Sequence, residues 1–256
     1  MTWKNNKEEW RTTHQILASS AIENDVVHIK NIRDFRFPTR NEDEPQKHFL
    51  DREFPVSLIE TSWIATIPFR PYFAHLITSF GLSDGTYIAI SVEIRYRKSD
   101  PYILRKTFLP HYWISYVIAT EDDVFRIRTD VRNHEPVHLY RLALIPAESQ
   151  KLFSDMVTRA QEVNHTKPER FNSAINSCTS NVIKHLRHAT NRPLPYSRSH
   201  YFTNLLDPYL AKHGFLILED AYSPLIRTRH CINGIAQTIP IDAPDFSKQI
   251  RIVVGY

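Results

Sequence analysis

The feature that most constrains the fold is a hairpin signature in the first half of the chain. Tyr72 to Phe80 and Thr86 to Tyr96 are runs of strand-forming residues, separated by Gly81-Leu82-Ser83-Asp84-Gly85. An Asp-Gly step between two such runs favours a tight reversal, because glycine accepts the left-handed angles that hairpin turns need. In the second run Ile88, Ile90, Val92 and Ile94 alternate with Ser91, Glu93 and Arg95. Successive strand residues point to opposite faces, so one face should be deeply buried and the other polar.

Other segments follow the same logic. Strands are expected at Val26 to Ile32, Ile59 to Ile67, Trp113 to Thr120, Val124 to Arg128 and Val137 to Leu144, with 39–56 as a charged, proline-containing loop. Pro146 opens a helix at its favoured first turn. Leu152, Phe153, Met156, Val157 and Ala160 give that helix an apolar stripe. A second helix is expected over Cys178 to His188, with Val182, Ile183 and Leu186 facing inward. A third is expected over Tyr201 to His213, capped by Gly214. Ile250 to Val254 reads as a short final strand. Strands first and helices later predict the α+β class, with a central antiparallel sheet packed with helices. The 256 residues show no repeat and no linker. They read as a single domain 1–256, with a core at 26–188 and a C-terminal extension at 189–256 packed on it.

Composition removes several functions. The chain has five glycines and neither GxGxxG nor GxxxxGK, which excludes a glycine-rich phosphate loop. The net charge of +4 is spread along the chain. That suits an anionic surface such as a membrane, while no basic–aromatic stripe points to nucleic acid. No apolar run reaches the roughly eighteen residues of a membrane span. The first ten residues lack the apolar region of a signal peptide. Cys178 and Cys231 lack metal-ligand spacing, and nothing in the pattern supports a disulfide between them. His185 and His188 stand at i, i+3, but such pairs more often face solvent, so neither metal nor cofactor is expected.

One segment carries chemistry: Phe171-Asn172-Ser173-Ala174-Ile175-Asn176-Ser177-Cys178-Thr179. A thiol where a helix begins meets unpaired N–H groups and the positive end of the helix dipole, which favours thiolate. Ser177 is the expected N-cap. Asn172, Asn176, Thr179 and the backbone N–H of Cys178 are candidate donors to an oxyanion, with Asn176 open to a capping role instead. A cysteine nucleophile also needs a base and a group that orients the base. A turn centred near Ser83-Asp84 sets His75 opposite positions 91–93, so Ser91 or Glu93 can lie beside the imidazole. The bland alternative is a packed histidine, an exposed glutamate and a buried free cysteine.

A resemblance sharpens the choice. Ile32-Arg33-Asp34-Phe35-Arg36-Phe37, Ala74-His75, Ser79-Phe80-Gly81, Asp84-Gly85, Ser91-Val92-Glu93-Ile94-Arg95, Glu121-Asp122-Asp123-Val124, Arg128-Thr129, Leu139-Tyr140, Phe171-Asn172 and Asn176-Ser177-Cys178-Thr179 resemble the Lnb N-terminal periplasmic domain family. The resemblance runs from about Val26 to Val182, with a weaker echo at Asp245 to Arg251. It implies a circularly permuted papain-like thiol fold with histidine ahead of cysteine. Cys178 would then be the nucleophile, His75 the base and Glu93 the third member. It further implies acyl transfer from a lipid ester through a cysteine thioester to an amine, such as a lipoprotein N-terminus. Partners would be a phospholipid or lipoprotein at a membrane surface, and Arg33, Arg95 and Arg97 are candidates for a phosphate head group. An envelope cysteine peptidase or amidase, and an inactive binding module of the same fold, are the rival readings. The location implied is the periplasmic face of the inner membrane for a trimmed chain, and the cytoplasm if Met1 is native.

Overall fold

The computed structural model describes residues 9–38, 44–101, 103–132, 135–241, 243–252 and 254–255. Strands β1 (Ser19–Glu23), β2 (Val26–Arg33), β3 (Phe49–Pro55), β4 (Ile59–Arg70), β5 (Phe73–Leu82), β6 (Tyr87–Arg95), β7 (Trp113–Ala119) and β8 (His138–Arg141) form one sheet. Their order is β1-β2-β7-β6-β5-β4-β8, with β3 paired to the other side of β2. Every pairing is antiparallel except β2 with β7, which meet in parallel at Arg33 and Ala119. The class is therefore α+β, with a mixed but largely antiparallel sheet.

Helices cover both faces. They are α1 (Glu121–Arg126), α2 (Pro146–Gln161), α3 (Cys178–Thr190), α4 (Leu206–Lys212), α5 (Pro224–Arg229), α6 (Asn233–Ala236) and α7 (Phe246–Ile252). On one face α2 and α3 bury their apolar stripes against Ile29, Leu76, Phe80, Ile90 and Tyr116. Leu152, Phe153, Met156 and Val157 of α2 are fully buried, each worth roughly 1.5–3 kcal/mol. On the other face Val124, Phe125, Ile232, Ala236, Phe246 and Ile250 cover Ile77, Ala89, Val117 and Ala119. Among the described residues, no helix is long and apolar enough to cross a membrane.

Coverage on both faces means that the polar face of β6 is buried as well. Ser91 and Arg95 are as buried as Val92 and Ile94 between them. Polar groups at such positions require partners inside the protein.

Four expectations change. The 39–56 loop holds β3; Asp51 and Glu53 point outward, as suits an edge strand, while Phe54 points in. (Residues 39–43 lie outside the described set.) Val124 to Arg128 is not a strand. Thr120 caps α1, Glu121, Asp122 and Asp123 occupy its first turn, and the helix runs on as a π-helical turn over Ile127–Val131. The third helix is reduced to α4, preceded by 3-10 turns at Arg198–His200 and Thr203–Leu205; its end at Gly214, φ +69°, is as expected. Ile250 to Ile252 belongs to α7, where Phe246 and Ile250, one turn apart, both enter the core. Val253 lies outside the described residues. β1 had no expected counterpart.

The β5–β6 hairpin closes as its turn residues dictate, with Gly85 at φ +81° and the amide of Leu82 donating to Thr86. Its ladder runs from Gly81–Tyr87 only as far as Ile77–Ser91. Beyond that rung β5 continues on β4 to Phe73 and β6 continues on β7 to Arg95. The two strands part, and a seam opens inside the sheet. Thr203 holds the β5 side: its Oγ1 accepts from Ala74 N at 2.6 Å and donates to Ala74 O at 2.8 Å.

Candidate active site

The seam leads into a cavity of about 380 Å³. Phe73, Ala74 and His75 of β5, Val92, Glu93 and Ile94 of β6, and Ser177 and Cys178 all line it. Cys178 is the first residue of α3, and Ser177 is the N-cap. Ser180 N donates to Ser177 Oγ at 3.3 Å, and Ser177 N donates to Ser180 Oγ at 2.8 Å. The helix is pinned along its length by Val182, Ile183 and Leu186 and ends at Asn191 in the left-handed region. Its N-terminus is thereby fixed at the seam. The first-turn N–H groups have no intrahelical acceptors and face the thiol end.

His75 comes from the opposite side of β5 and meets the thiol through the seam. Its Nε2 lies 2.8 Å from Ser91 Oγ, and that hydroxyl donates to Glu93 Oε1 at 2.7 Å. The carboxylate can only accept, so the hydroxyl proton is committed to it and Nε2–H must be the donor to Ser91. That leaves Nδ1, on the other side of the ring, as the nitrogen that can exchange a proton with the thiol. Glu93 also lies 3.6 Å from His75 Nε2 and 3.5 Å from Arg128, and its Oε2 accepts from His14 Nε2 at 3.0 Å.

The electrostatics follow from these contacts. Burial pushes the Cys178 thiol up, but hydrogen bonding and charge from His75 outweigh it, helped by Thr179 and the backbone N–H of Leu76. The net effect holds the thiol below its ordinary value. Burial pulls the His75 imidazole down, but Cys178 and Glu93 more than reverse this, so it is held above its ordinary value. Burial opposes the charge on Glu93, yet hydrogen bonds from His14 and His75 keep its carboxyl well below the usual range. A lowered thiol beside a raised imidazole moves both groups toward the charged thiolate–imidazolium form, with Glu93 as the counter-charge.

Of the expected site residues, Cys178, His75, Ser91 and Glu93 come together, and Thr179 Oγ1 lies 3.9 Å from Cys178 Sγ. Asn172 and Asn176 do not line the cavity. Asn172 braces its own turn, accepting from Ala174 N and donating to Phe108 O. Asn176 donates to Glu169 and Arg170 and accepts from Asn181. Both amide protons of Asn176 are thus committed, and Asn172 directs its amide toward Phe108 O, away from the cavity. Arg33, Arg95 and Arg97 are also absent from the lining. Arg33 is buried in a bidentate pair with Asp123. Arg95 donates to His14 O and lies over Trp10, and Arg97 lies near Glu9 and the same ring.

Three contributors lay outside the sequence reading. His14 arrives on an N-terminal strap that pairs Trp10 with Arg97 and Arg11 with Tyr96. Thr203 holds β5 open. Arg128 contacts Glu93 from the π-helical turn, and burial brings its guanidinium down to about 10. The Arg128-Thr129 pair was part of the family resemblance and was the one available signal for it. Nothing local separates His14 from the other twelve histidines.

Cys178 and Cys231 are both free thiols. His185 and His188 share Asp155 as a bonding partner, at 2.6 and 3.0 Å. Among the described residues, no cluster of three or more His, Cys, Asp or Glu side chains is arranged to hold a metal.

A family model described as the Lnb N-terminal periplasmic domain matches residues 45–206. The span begins later and ends later than the resemblance read from the motifs. It includes His75, Glu93, Cys178 and Thr203 and leaves out His14. No curated protein and no solved structure matches the chain.

Proposed function

Because the chain belongs to the Lnb N-terminal periplasmic domain family, we propose that it is a cysteine-dependent acyltransferase of the bacterial envelope, acting on a lipid ester. The observation that carries this reading is the lowered thiol of Cys178 at a helix N-terminus, against an imidazole oriented by Ser91 and Glu93. Histidine on a strand ahead of cysteine on a helix is the order expected of a permuted papain-like fold.

The reaction has two halves. The Cys178 thiolate attacks the ester carbonyl, and a sulfur–carbon bond forms. The oxyanion is met by the backbone N–H of Cys178, in the place expected of Asn176. The carbon–oxygen bond breaks, and His75 gives its proton to the departing alcohol. An amine, such as a lipoprotein N-terminus, then attacks the thioester. His75 takes the amine proton, and the thiolate leaves with an amide formed.

The cavity surroundings favour an acyl chain over a peptide. Phe69, Phe73, Leu104 and Phe171 line it, and Phe69 and Tyr201 are both lining and exposed at 37% and 40%. Tyr72 and Phe202 extend this rim as an exposed ring pair 5.7 Å apart. Exposed aromatics around a pocket mouth suit a lipid surface. The charged side chains that share the lining, Arg70, Arg128 and Glu135 among them, make the cavity amphiphilic, as an ester with a polar end and apolar chains would require.

Intact-mass measurement after incubation with phospholipid vesicles tests the reading. Wild type should gain one acyl chain, Cys178→Ser should gain none, and an amine-bearing peptide should clear the adduct. Transfer that persists in Cys178→Ser, or no adduct from any ester donor, would refute it.

A further inference from the structure

Large apolar side chains are not spread evenly over the surface. Fifteen are exposed among the described residues, and nine of them sit on four short segments, 69–73, 103–109, 171–177 and 196–206. Single exposed apolar residues are ordinary, but a cluster of this kind marks a contact surface. All four segments also line the cavity, Phe69, Leu104, Phe171 and Tyr201 among their contributions.

The segments form two lips, one on each side of the seam. On the β5 side, Asn204 N donates to Tyr72 O and Asn204 Nδ2 to Pro71 O, which joins 196–206 to the β4–β5 turn. The ring pairs Tyr72–Phe202, 5.7 Å apart, and Tyr196–Tyr201, 5.6 Å apart, extend this lip. On the β6–β7 side, Ser173 N donates to Thr107 O and Asn172 Nδ2 to Phe108 O, which joins 103–109 to the turn before α3. Phe171 N donates to Tyr112 O, next to the start of β7. Phe108, Leu109 and Ile175 are the exposed apolar residues of this second lip. Both lips stand at the open end of the seam, where Arg70 pairs with Phe73 and Arg95 with Trp113. They carry Arg105, Lys106 and Arg198, and the four segments contain no aspartate or glutamate.

We propose that the two lips dock on a bilayer surface bearing anionic phospholipid, with the mouth of the cavity opening onto the lipid. This rests on the acyl-transfer reading and adds the surface from which its ester is drawn. Phenylalanine, leucine and isoleucine enter the acyl boundary, tyrosine keeps its hydroxyl at head-group level, and the basic side chains meet the phosphates. A protein seated across both lips would close the mouth, whereas a bilayer covers the lips and supplies an ester to the cavity between them.

Vesicle sedimentation tests the surface without turnover, with the full chain as Cys178→Ser so that no acyl-enzyme forms. The probes are vesicles of phosphatidylcholine mixed with phosphatidylglycerol, and of phosphatidylcholine alone. The protein should partition more strongly onto the mixed vesicles, and added salt should narrow the difference. Leu109→Ser and Phe202→Ser, one on each lip, should each weaken partitioning about tenfold. Arg198→Gln should weaken it about fivefold, on the mixed vesicles only. Ile145→Ser is the control. Ile145 is 62% exposed, but the helix it precedes meets the other end of β4, where Gln150 donates to Ile59 O. That variant should bind as the parent does, and cooperative melting checks that each variant is folded. Equal binding to both vesicles, lip variants that bind like the parent, or an equal loss in Ile145→Ser overturns the surface. No binding to either vesicle also overturns it and leaves the lips to a protein partner. If the chain binds through the lips but Cys178 never takes an acyl group, the acyl-transfer reading falls and the docking surface stands. Acylation from a monomeric ester without vesicle binding has the reverse meaning.

Discussion

Replacing Glu93 with glutamine removes one charge and almost no volume. The new amide oxygen can still accept from Ser91, so the His75 ring keeps a partner while the imidazolium loses its counter-charge. Unit charges about 4 Å apart interact by about 4 kcal/mol at an effective dielectric near 20, which sets an upper limit. The carboxylate lies 3.6 Å from the imidazole, and Ser91 mediates the bonded contact, so the smaller figure for a charge-assisted bond, ~1.5–3 kcal/mol, is the better guide. At 1.4 kcal/mol per tenfold, Cys178 in Glu93→Gln should alkylate about 10- to 100-fold more slowly at neutral pH. The acid limb of its pH–rate profile should move toward alkaline pH, because a weaker imidazolium stabilises the thiolate less. Mass spectrometry after timed iodoacetamide treatment reads both values, with Cys231 as an internal standard in the same molecule. A profile that superimposes on wild type, in a variant that melts cooperatively, would mean that Glu93 does not charge the His75–Cys178 pair.

Two other perturbations follow from the geometry. Burial holds the His14 imidazole below its ordinary 6.5, so the unfolded chain takes up a proton that the folded chain refuses. Stability from this source is complete above 6.5 and is lost as pH falls toward the folded value. His75 acts in the opposite sense, but its contribution is already complete below 6.5. The urea midpoint should therefore fall with acidification below 6.5, less steeply in His14→Gln; His138 and His200, also held low by burial, supply slope common to both proteins. Identical slopes would remove His14 from the account. His14→Gln should also slow turnover roughly 2- to 10-fold, the worth of one neutral hydrogen bond to Glu93. Thr203→Val strands the buried N–H and C=O of Ala74, which should cost about 1–3 kcal/mol in urea unfolding and slow Cys178 alkylation. Unchanged stability and reactivity would show that Thr203 does not hold the seam.

The grouping of Cys178, His75, Ser91 and Glu93 was legible because two strong local signals fix it. Asp84-Gly85 sets the hairpin register, and His75, two residues past the last rung at Ile77–Ser91, still reaches Ser91 and Glu93; the polar run before Cys178 set the helix start, and Ser177 caps it as expected. What could not be read depends on burial and on distant segments. The cover over the polar face of β6 could not be read because alternation reports polarity and not what lies above it. Arg33 looked available for a ligand because its partner Asp123 is 90 residues away in sequence. Asn176 looked like an oxyanion donor because its commitments to Glu169 and Arg170 arise from the folded turn. Val124 to Arg128 illustrates a different loss: Thr120 with three following acids was a readable helix start, but β-branched and aromatic residues outweighed it. α7 was misread because five residues of apolar tail do not separate a helical period from a strand's.

The parted strands also bear on when reactivity arises. The turn of the hairpin needs only neighbouring residues, but the elements that hold its open end come from far away. Thr203 stands 129 residues beyond Ala74, and His14 stands 79 before Glu93. An incomplete or unfolded chain can thus form the hairpin while Cys178 remains an ordinary thiol, without a fixed imidazole or an anchored helix terminus. Oxidation and stray acylation follow thiolate content, so on the proposed reading Cys178 stays chemically quiet until the distant segments have closed around it.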